Sequence, residues 1–165
     1  MMDTQLVLTG FLKRAARYFP NKQIISRTSP TMTHRIPFKD YVKRTHRLAD
    51  ALTKLGMTRG TKVGTFAWNH HRHLEAYFAI PCSGAILHTI NIRLAPEHIV
   101  YIINHAQDEI LLIDGDLFPL VEPALGHLKS VKHIIVMSDD KTAPESSFPN
   151  VHSYEQLLEE ADENF

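Results

Sequence analysis

Short apolar runs alternate with segments of helical spacing through the middle of the chain. Four of these runs have the length of strands: residues 63–67, 85–90, 110–113 and 133–137. The segments between them place apolar residues three or four positions apart, which is the spacing of one helix face. Strands that alternate with helices of this length are typical of parallel βαβ units. The pattern predicts an α/β fold over residues 62–137, with a mostly parallel sheet and helices on both faces.

A different pattern precedes this core, over residues 1–61. The predicted elements are a helix, two strands of a small hairpin and a second helix: 5–18, 23–27, 32–37 and 39–55. Ser29-Pro30 is a favourable pair for the hairpin turn. Gly56 is well placed to close the second helix, because glycine readily adopts the left-handed conformation found there.

The third part, residues 138–165, is predicted to be a loop followed by a short helix. Residues 138–150 are rich in Ser, Pro and Asp, which is typical of surface loops. Ser153 and Gln156 then have the spacing of a capping box, in which side chains bond to the free backbone groups at a helix start.

Prolines and a possible cap refine the helices of the core. Asn69 is the expected N-cap of a helix that starts near His71. Pro81 should kink that helix or fray its last turn, because proline removes a backbone hydrogen bond. Pro96 suits the first position of the next helix. A third helix is predicted over 117–128.

Composition and charge exclude some classes of protein. The 165 residues include 18 basic and 18 acidic side chains, so the formal net charge is zero. Nucleic-acid binders normally carry a clustered basic excess, which argues against that class. No apolar run is long enough for a transmembrane helix. At the N-terminus an acidic residue precedes the first apolar stretch and basic residues follow it, which is the opposite of the charge order of a secretory signal, so we expect a cytoplasmic protein. The single cysteine, Cys82, is expected to be a reduced, buried thiol.

Candidate binding residues follow the predicted strands. In open α/β sheets, ligands bind beyond the carboxyl ends of the strands. That rule brings together Trp68, Asn69, Thr89, Ile90, Asn91, Asp114 and Gly115. Other roles remain open: the asparagines could cap helices or turns, Trp68 could pack in the core, Asp114 could bind a ribose, and Arg93 could hold a phosphate or a carboxylate.

Three histidines lie close together at the start of a predicted helix. His70, His71 and His73 could suggest zinc, but such a site usually needs three or four converging ligands. Neighbouring residues at a helix start point in different directions. We therefore expect a solvated helix end and no metal site.

The chain also resembles a known family. The resemblance rests on Gly64, Trp68-Asn69, the run HLEAYFAIPCSGAILHTIN, Arg93-Leu94 and YIINHA. These residues resemble the N-terminal portion of the AMP-forming acyl-CoA synthetases, the adenylate-forming ligases, and within them the fatty-acyl-CoA ligases. The resemblance implies that residues 1–165 are the N-terminal portion of the large ligase domain.

Several functional expectations come from this resemblance alone. It implies that the whole protein activates a fatty acid with ATP to an acyl-adenylate and passes the acyl group to coenzyme A, with ATP, Mg²⁺ and coenzyme A as cofactors. It implies no catalytic residue in this stretch and no tightly bound cofactor. The residues expected to border the coenzyme A groove are Trp68, Asn69, Thr89, Ile90, Asn91 and Gly115.

Glycine-rich phosphate loops are missing from the sequence. Neither GxGxxG nor GxxxxGK[ST] occurs. In the family the phosphate loop follows the segment that this chain resembles, so the chain alone is expected to be inactive. Two alternatives remain: a self-contained doubly wound nucleotide- or metabolite-binding domain, which the missing glycines disfavour, and a non-catalytic dimerisation or interaction module. Phe78, Leu87 and Ile90 are candidates for an exposed apolar surface that would support a homodimer.

Overall fold

The computed structural model describes residue 3, residues 7–28 and residues 31–164. Its helices are α1 Thr9–Tyr18, α2 Phe38–Lys54, α3 His71–Cys82, α4 Pro96–Ala106, α5 Phe118–Val121 and α6 Tyr154–Glu159, with a 3-10 helix at Glu122–His127. Its strands are β1 Gln23–Arg27, β2 Thr33–Pro37, β3 Lys62–Phe66, β4 Ile86–Thr89, β5 Ile110–Asp114, β6 His133–Met137 and β7 Val151–Ser153. The α/β class and the hairpin are therefore confirmed.

Five parallel strands form the central sheet, in the order β4-β3-β5-β6-β7. Strand β5 lies in the middle, where both faces are covered, and all five of its residues are buried. This explains its continuous apolar sequence, because a strand covered on both faces has no solvent side that calls for polar residues. The predicted burial of Leu111, Leu112 and Ile113 is confirmed, since none of them has solvent-exposed surface.

Helices cover both faces of the sheet, as predicted. Leu112 points to the layer of α2, α3 and α6, where it joins Leu52 and Ile80. Leu111 and Ile113 point to the opposite layer of α4, α5 and the 3-10 helix. Alternate residues of a strand face opposite sides, so one apolar run supplies both cores.

The antiparallel hairpin β1–β2 and helix α1 form a smaller third cluster. Leu12, Ile36 and Tyr41 are its buried members. Tyr41 belongs to α2, so the hairpin and α1 are held against the main layer of helices. The predicted turn at Ser29-Pro30 and the predicted start of α1 at Gln5 lie outside the described residues.

Glycines and prolines lie at the ends of α2, α3 and α4, as predicted. Gly56 and Gly84 have φ values of +96° and +82° just beyond α2 and α3. Pro96 is at the start of α4. Pro81 lies in the last turn of α3, which ends at Cys82.

The structure differs from the expectations at one helix, at one strand and at three apolar residues. The helix predicted over 117–128 is divided into α5 and the 3-10 helix, because Pro123 has no backbone N–H to continue the α-helical pattern. Strand β7 was not predicted, since three residues are too few for a periodic signal. Ile90 is buried among the residues that pack against α4, and Phe78 and Leu87 are only half-buried.

Helix lengths and compositions bear on membrane association as well. Among the described helices, none is long and apolar enough to cross a membrane.

Cys82 is a free cysteine that is half-buried rather than fully buried, and burial raises the pKa of its thiol.

Candidate functional site

The carboxyl ends of β3, β5 and β6 open into one cavity of about 1120 Å³. Trp68 and Asn69 enter it from the loop after β3, and Gly115 enters it from the loop after β5. The hairpin supplies one wall through Arg27 and Met32. The volume is slightly above the range of about 300–1,000 Å³ that is typical of small-molecule sites.

The other three predicted residues lie elsewhere. Thr89, Ile90 and Asn91 are outside the described lining of this cavity, because β4 is an edge strand separated from β5 and β6 by β3. Asn91 stabilises a turn: its Oδ1 accepts a hydrogen bond from the backbone N–H of Arg93 at 3.0 Å. The predicted edge therefore consists of two separate parts.

Asp114 organises the wall of the cavity at the end of the central strand. Its Oδ2 accepts the backbone N–H of Trp68 at 2.6 Å, and its Oδ1 lies 2.6 Å from Nε2 of His70. Both oxygens of this buried carboxylate already have donors from the chain itself. Asp114 thus holds the loop after β3 in place, and this use of its oxygens weakens the interpretation as a ribose ligand.

His70, and not Asn69, is the N-cap of α3. Its Nδ1 accepts the backbone N–H of His73 at 3.3 Å, while Nε2 faces Asp114. An Nδ1 that accepts a hydrogen bond carries no proton, so the proton must be on Nε2, which donates to Asp114. Sequence reasoning missed this cap because histidine is not among the residues usually found there.

The histidine cluster is buried rather than solvated, contrary to expectation. His71 is 1% exposed and stacks on His34 of the hairpin with ring centroids 3.9 Å apart. Burial and the nearby positive charge of Arg72 lower the pKa of His71 to about 2. His73 lies 3.1 Å from Thr65 Oγ1 and 3.1 Å from the backbone oxygen of Trp68.

The three imidazoles therefore serve different partners and do not converge. Within the described ranges, no group of three or more His, Cys, Asp or Glu side chains is arranged to hold a metal ion.

Trp68 is more exposed than a packing residue would be. About half of the residue, 47%, is open to solvent, and its indole Nε1–H donates to Asp116 Oδ2 at 3.0 Å. Its backbone is fixed by Asp114 and its ring by Asp116. Of the two roles left open for Trp68, packing in the core does not agree with this exposure.

A network of charges beneath the cavity joins α2, α3 and α6. Arg44 donates to Glu75 Oε1 at 2.7 Å and, through its two terminal nitrogens, to Glu155 at 2.8 and 2.9 Å. Arg72 donates to Glu155 Oε1 at 2.8 Å and also bonds to Asp139, which lines the cavity.

The pKa values of the two glutamates in this network are shifted in opposite directions. Glu75 has no exposed surface, and burial raises the pKa of its carboxyl although Arg44 opposes the shift. Burial acts the same way on Glu155, but hydrogen bonds from Arg44 and Arg72 outweigh it, and the pKa of Glu155 is lowered. No sequence pattern indicates this network, because Arg44, Glu75 and Glu155 are far apart along the chain.

Gly64, one of the resembling residues, has a steric reason to be glycine. A Cβ there would lie 2.9 Å from Leu111 Cδ1 and 3.0 Å from Asp108 Oδ2. Asp108 is fully buried and accepts from His88 Nδ1 at 2.7 Å. The close approach keeps this hydrogen-bonded pair packed against β3.

Comparison with known proteins identifies the family. The model of the AMP-binding enzyme family matches residues 12–164. This chain belongs to the AMP-binding enzyme family. Among curated members, it is 48% identical over 98% of its length to a long-chain-fatty-acid–CoA ligase of Thermus thermophilus, of which it covers 29%. It is 36% identical over its whole length to a medium-chain-fatty-acid–CoA ligase of Ectopseudomonas oleovorans, of which it covers 30%.

Solved structures show the same fold. An anthranilate–CoA ligase in complex with anthranoyl-AMP matches all of this chain with a TM-score of 0.82 at 22% identity, over 31% of the ligase. A long-chain-fatty-acid–CoA ligase from Archaeoglobus fulgidus also gives 0.82, at 18% identity and over 32% of its chain. The chain thus spans about 30% of the length of the curated relatives named above.

Proposed function

We propose that residues 1–165 are the N-terminal portion of the large domain of a fatty-acid–CoA ligase. The identity of 48% to the Thermus thermophilus long-chain-fatty-acid–CoA ligase, over 98% of this chain, carries the proposal. Within this portion, residues 1–61 supply a helix, the hairpin and a second helix, residues 62–137 supply the βα units, and residues 138–165 supply a loop and a short helix.

The reaction of the whole protein has two steps. The fatty-acid carboxylate attacks the α-phosphorus of ATP and releases pyrophosphate, which gives an acyl-adenylate. The thiol of coenzyme A then attacks the acyl carbon, a thioester forms and AMP leaves. The first step replaces a poor leaving group by a good one, and it requires groups that stabilise the charge on the phosphates.

The described residues do not form a site that could hold Mg²⁺ with protein side chains alone. Mg²⁺ is bound through carboxylates, phosphates and water in octahedral geometry. The described residues bring no group of three His, Cys, Asp or Glu side chains together for a metal, and the sequence has no phosphate loop. We therefore assign Mg²⁺ and triphosphate binding to other parts of the ligase, and no catalytic step to this chain.

The chain's own contribution would be a scaffold and one border of the coenzyme A groove. The six residues proposed for that border are Trp68, Asn69, Thr89, Ile90, Asn91 and Gly115. Ile90 is buried and would act by packing, whereas Thr89 and Asn91 are exposed beside the free edge of β4. Trp68, Asn69 and Gly115 would contribute from the separate cavity.

A homodimer and a cytoplasmic location complete the proposal. Ile86 on the edge strand β4 is 49% exposed. An exposed edge strand with apolar residues is a surface on which a second chain can pair. Family membership argues against the alternative of a self-contained metabolite-binding domain.

A chimeric ligase tests the proposal. This chain would replace the matching segment of the Thermus thermophilus ligase, and acyl-CoA formation would be measured with fatty acid, ATP, Mg²⁺ and coenzyme A. We expect the chimera to turn over and the 165-residue chain alone to release no pyrophosphate above the blank. The matching Thermus segment alone is the control. Turnover by the isolated chain, or a folded chimera that forms neither acyl-adenylate nor acyl-CoA, would contradict the proposal.

A further inference from the structure

A second, smaller cleft lies between helices α1, α2 and α3 and has a volume of about 300 Å³. None of the described residues that line it also lines the cavity at the carboxyl ends of the strands. Its volume is twice that of an engineered apolar cavity of about 150 Å³ that binds benzene. The cleft is therefore large enough for the apolar body of a small molecule.

The interior of the cleft is largely apolar. Leu12 of α1 and Ala79 of α3 are among the residues that line it. Two hydroxyl groups of the lining are already used within the helices: Thr45 donates to the backbone oxygen of Tyr41 at 2.9 Å, and Ser83 donates to that of Ala79 at 2.7 Å. An apolar space of this kind holds water poorly and favours an apolar group.

The remaining polar groups of the cleft favour an anion. Lys13 of α1 and His46 of α2 are in the lining, and the described lining includes no Asp or Glu. Neither of these side chains has a hydrogen-bond or ion-pair partner within the described residues. Thr9, the first residue of α1, also lines the cleft, and the first turn of this helix carries no acidic side chain. The Lys13 ammonium and the positive end of the α1 dipole therefore both attract a negative group.

We propose that this cleft binds a small amphiphilic anion, with its apolar body between α1 and α3 and its anionic head beside Lys13. Leu12 is the only buried residue of α1, so a ligand in the cleft would add apolar contacts that hold this helix in place. No bond is made or broken at this site. It does not depend on the ligase function proposed above, because none of its lining residues belongs to the proposed coenzyme A border.

The single cysteine of the chain is a reporter for this site, because Cys82 lies in the lining. Alkylation of its thiol by iodoacetamide, an uncharged reagent, would be followed by mass spectrometry with and without hexanoate. We expect saturable protection by hexanoate and none by acetate, which has the head without the tail. Hexylammonium, which has the same tail with a positive head, should protect much less at low salt. Each methylene added between butyrate and hexanoate should strengthen binding about fourfold.

Two variants of the same helix separate the contact with the anionic head from general charge effects. Lys13→Gln should weaken hexanoate binding about two- to fivefold, as measured by ligand-observed NMR, and leave the binding of uncharged 1-hexanol unchanged. Arg14→Gln is the matched control, because the Arg14 guanidinium lies over the ring of Tyr18, outside the lining, and its loss should change neither ligand. Alkylation rates would be compared with the rate of the same variant without ligand.

Three results would overturn the proposal. The first is hexanoate binding without protection of Cys82, which would place the ligand elsewhere, or no saturable binding of hexanoate at all. The second is protection by hexylammonium as strong as protection by hexanoate at low salt. The third is a loss of hexanoate affinity in Lys13→Gln no larger than the loss in Arg14→Gln. The measurements need no turnover, so failure of this site and failure of the ligase proposal can be told apart.

Discussion

Replacing Arg44 by methionine is the sharpest test of the buried charge network. Methionine preserves much of the length and apolar volume of the arginine side chain and removes only its charge and donors. Glu75, which has no exposed surface, would keep Tyr154 as a hydrogen-bond partner but lose its neutralising cation. Glu155 would still be held by Arg72. The damage should therefore be concentrated on Glu75.

Burial of an unpaired carboxylate sets the size of the effect. Removing one partner of a buried ion pair typically costs about 3–5 kcal/mol, because the remaining charge is left in a medium of low dielectric constant. The Arg44 side chain is 23% exposed, so water can reach part of the vacated space. We therefore expect a loss near the lower limit, about 3 kcal/mol at pH 8.

The expected pH dependence follows from the raised pKa of Glu75. Burial already raises this pKa in the folded protein, and loss of Arg44 removes a group that lowers it. The folded variant then holds a proton more tightly than the unfolded chain does. Protonation at low pH consequently favours folding, and this stabilisation is lost as pH rises through the folded pKa. The cost of Arg44→Met should be larger at pH 8 than at pH 5.5.

Urea unfolding followed by circular dichroism at both pH values measures these costs. Arg47→Met on the same helix is the matched control, because Arg47 pairs with Glu163 at the surface and such pairs contribute about 0–1 kcal/mol. In the double variant with Glu75→Gln, the total cost should be below the sum of the single costs by about 0.5–3 kcal/mol. A cost for Arg44→Met no larger than that of the control, or equal at both pH values, would refute the reasoning.

Three further predictions concern the core, the cavity wall and the histidines. Leu112→Ala should lower the free energy of unfolding, measured in urea, by about 2–5 kcal/mol, because the residue is fully buried in the central strand. A change below about 1 kcal/mol would contradict the tight packing of Leu112 in the core. Asp114→Asn replaces the carboxylate that accepts hydrogen bonds from Trp68 and His70 by an amide, so it should lower the free energy of unfolding by about 1.5–3 kcal/mol. It should also lower the fluorescence anisotropy of Trp68, and unchanged anisotropy would show that the loop is fixed by other contacts. The pKa of His71 is lowered to about 2 in the folded protein, so as the pH falls this histidine is protonated in the unfolded chain before it is protonated in the folded protein. The free energy of unfolding should therefore fall by up to about 1.4 kcal/mol per pH unit below pH 6.5. His71→Gln should reduce that slope, and an equal slope in the variant would refute the assignment.

Patterns that repeat within one element predicted much of the fold. The apolar run of β5, the spacing of α2 and the position of Pro96 each depend on neighbours within one segment, and all three were predicted from sequence. The serine half of the predicted capping box is present, since Ser153 accepts the backbone N–H of Gln156, whereas the Gln156 side chain donates to Glu160 instead.

Contacts between distant residues account for what the sequence could not show. Arg44 and Glu155 are 111 residues apart, and Trp68 and Asp114 are 46 apart. Nothing in the local pattern around Arg44 distinguishes it from a solvated arginine of an amphipathic helix. The general rule for parallel sheets correctly placed the residues at the ends of β3 and β5 on one edge of the sheet. It could not show that β4 is separated from β5 by β3, because that depends on the strand order.

The ion pairs between α2 and the α6 segment also affect how the chain can fold during synthesis. Arg44 reaches the ribosome exit before Glu155, and 111 residues separate them. At about 5–20 residues per second, the delay between the two is roughly 5–20 s. During this interval a nascent chain can pair Arg44 with Glu75 but cannot complete the layer that α6 covers. The apolar face of α2 is then open to chaperones, and slower translation of this region would prolong that exposure.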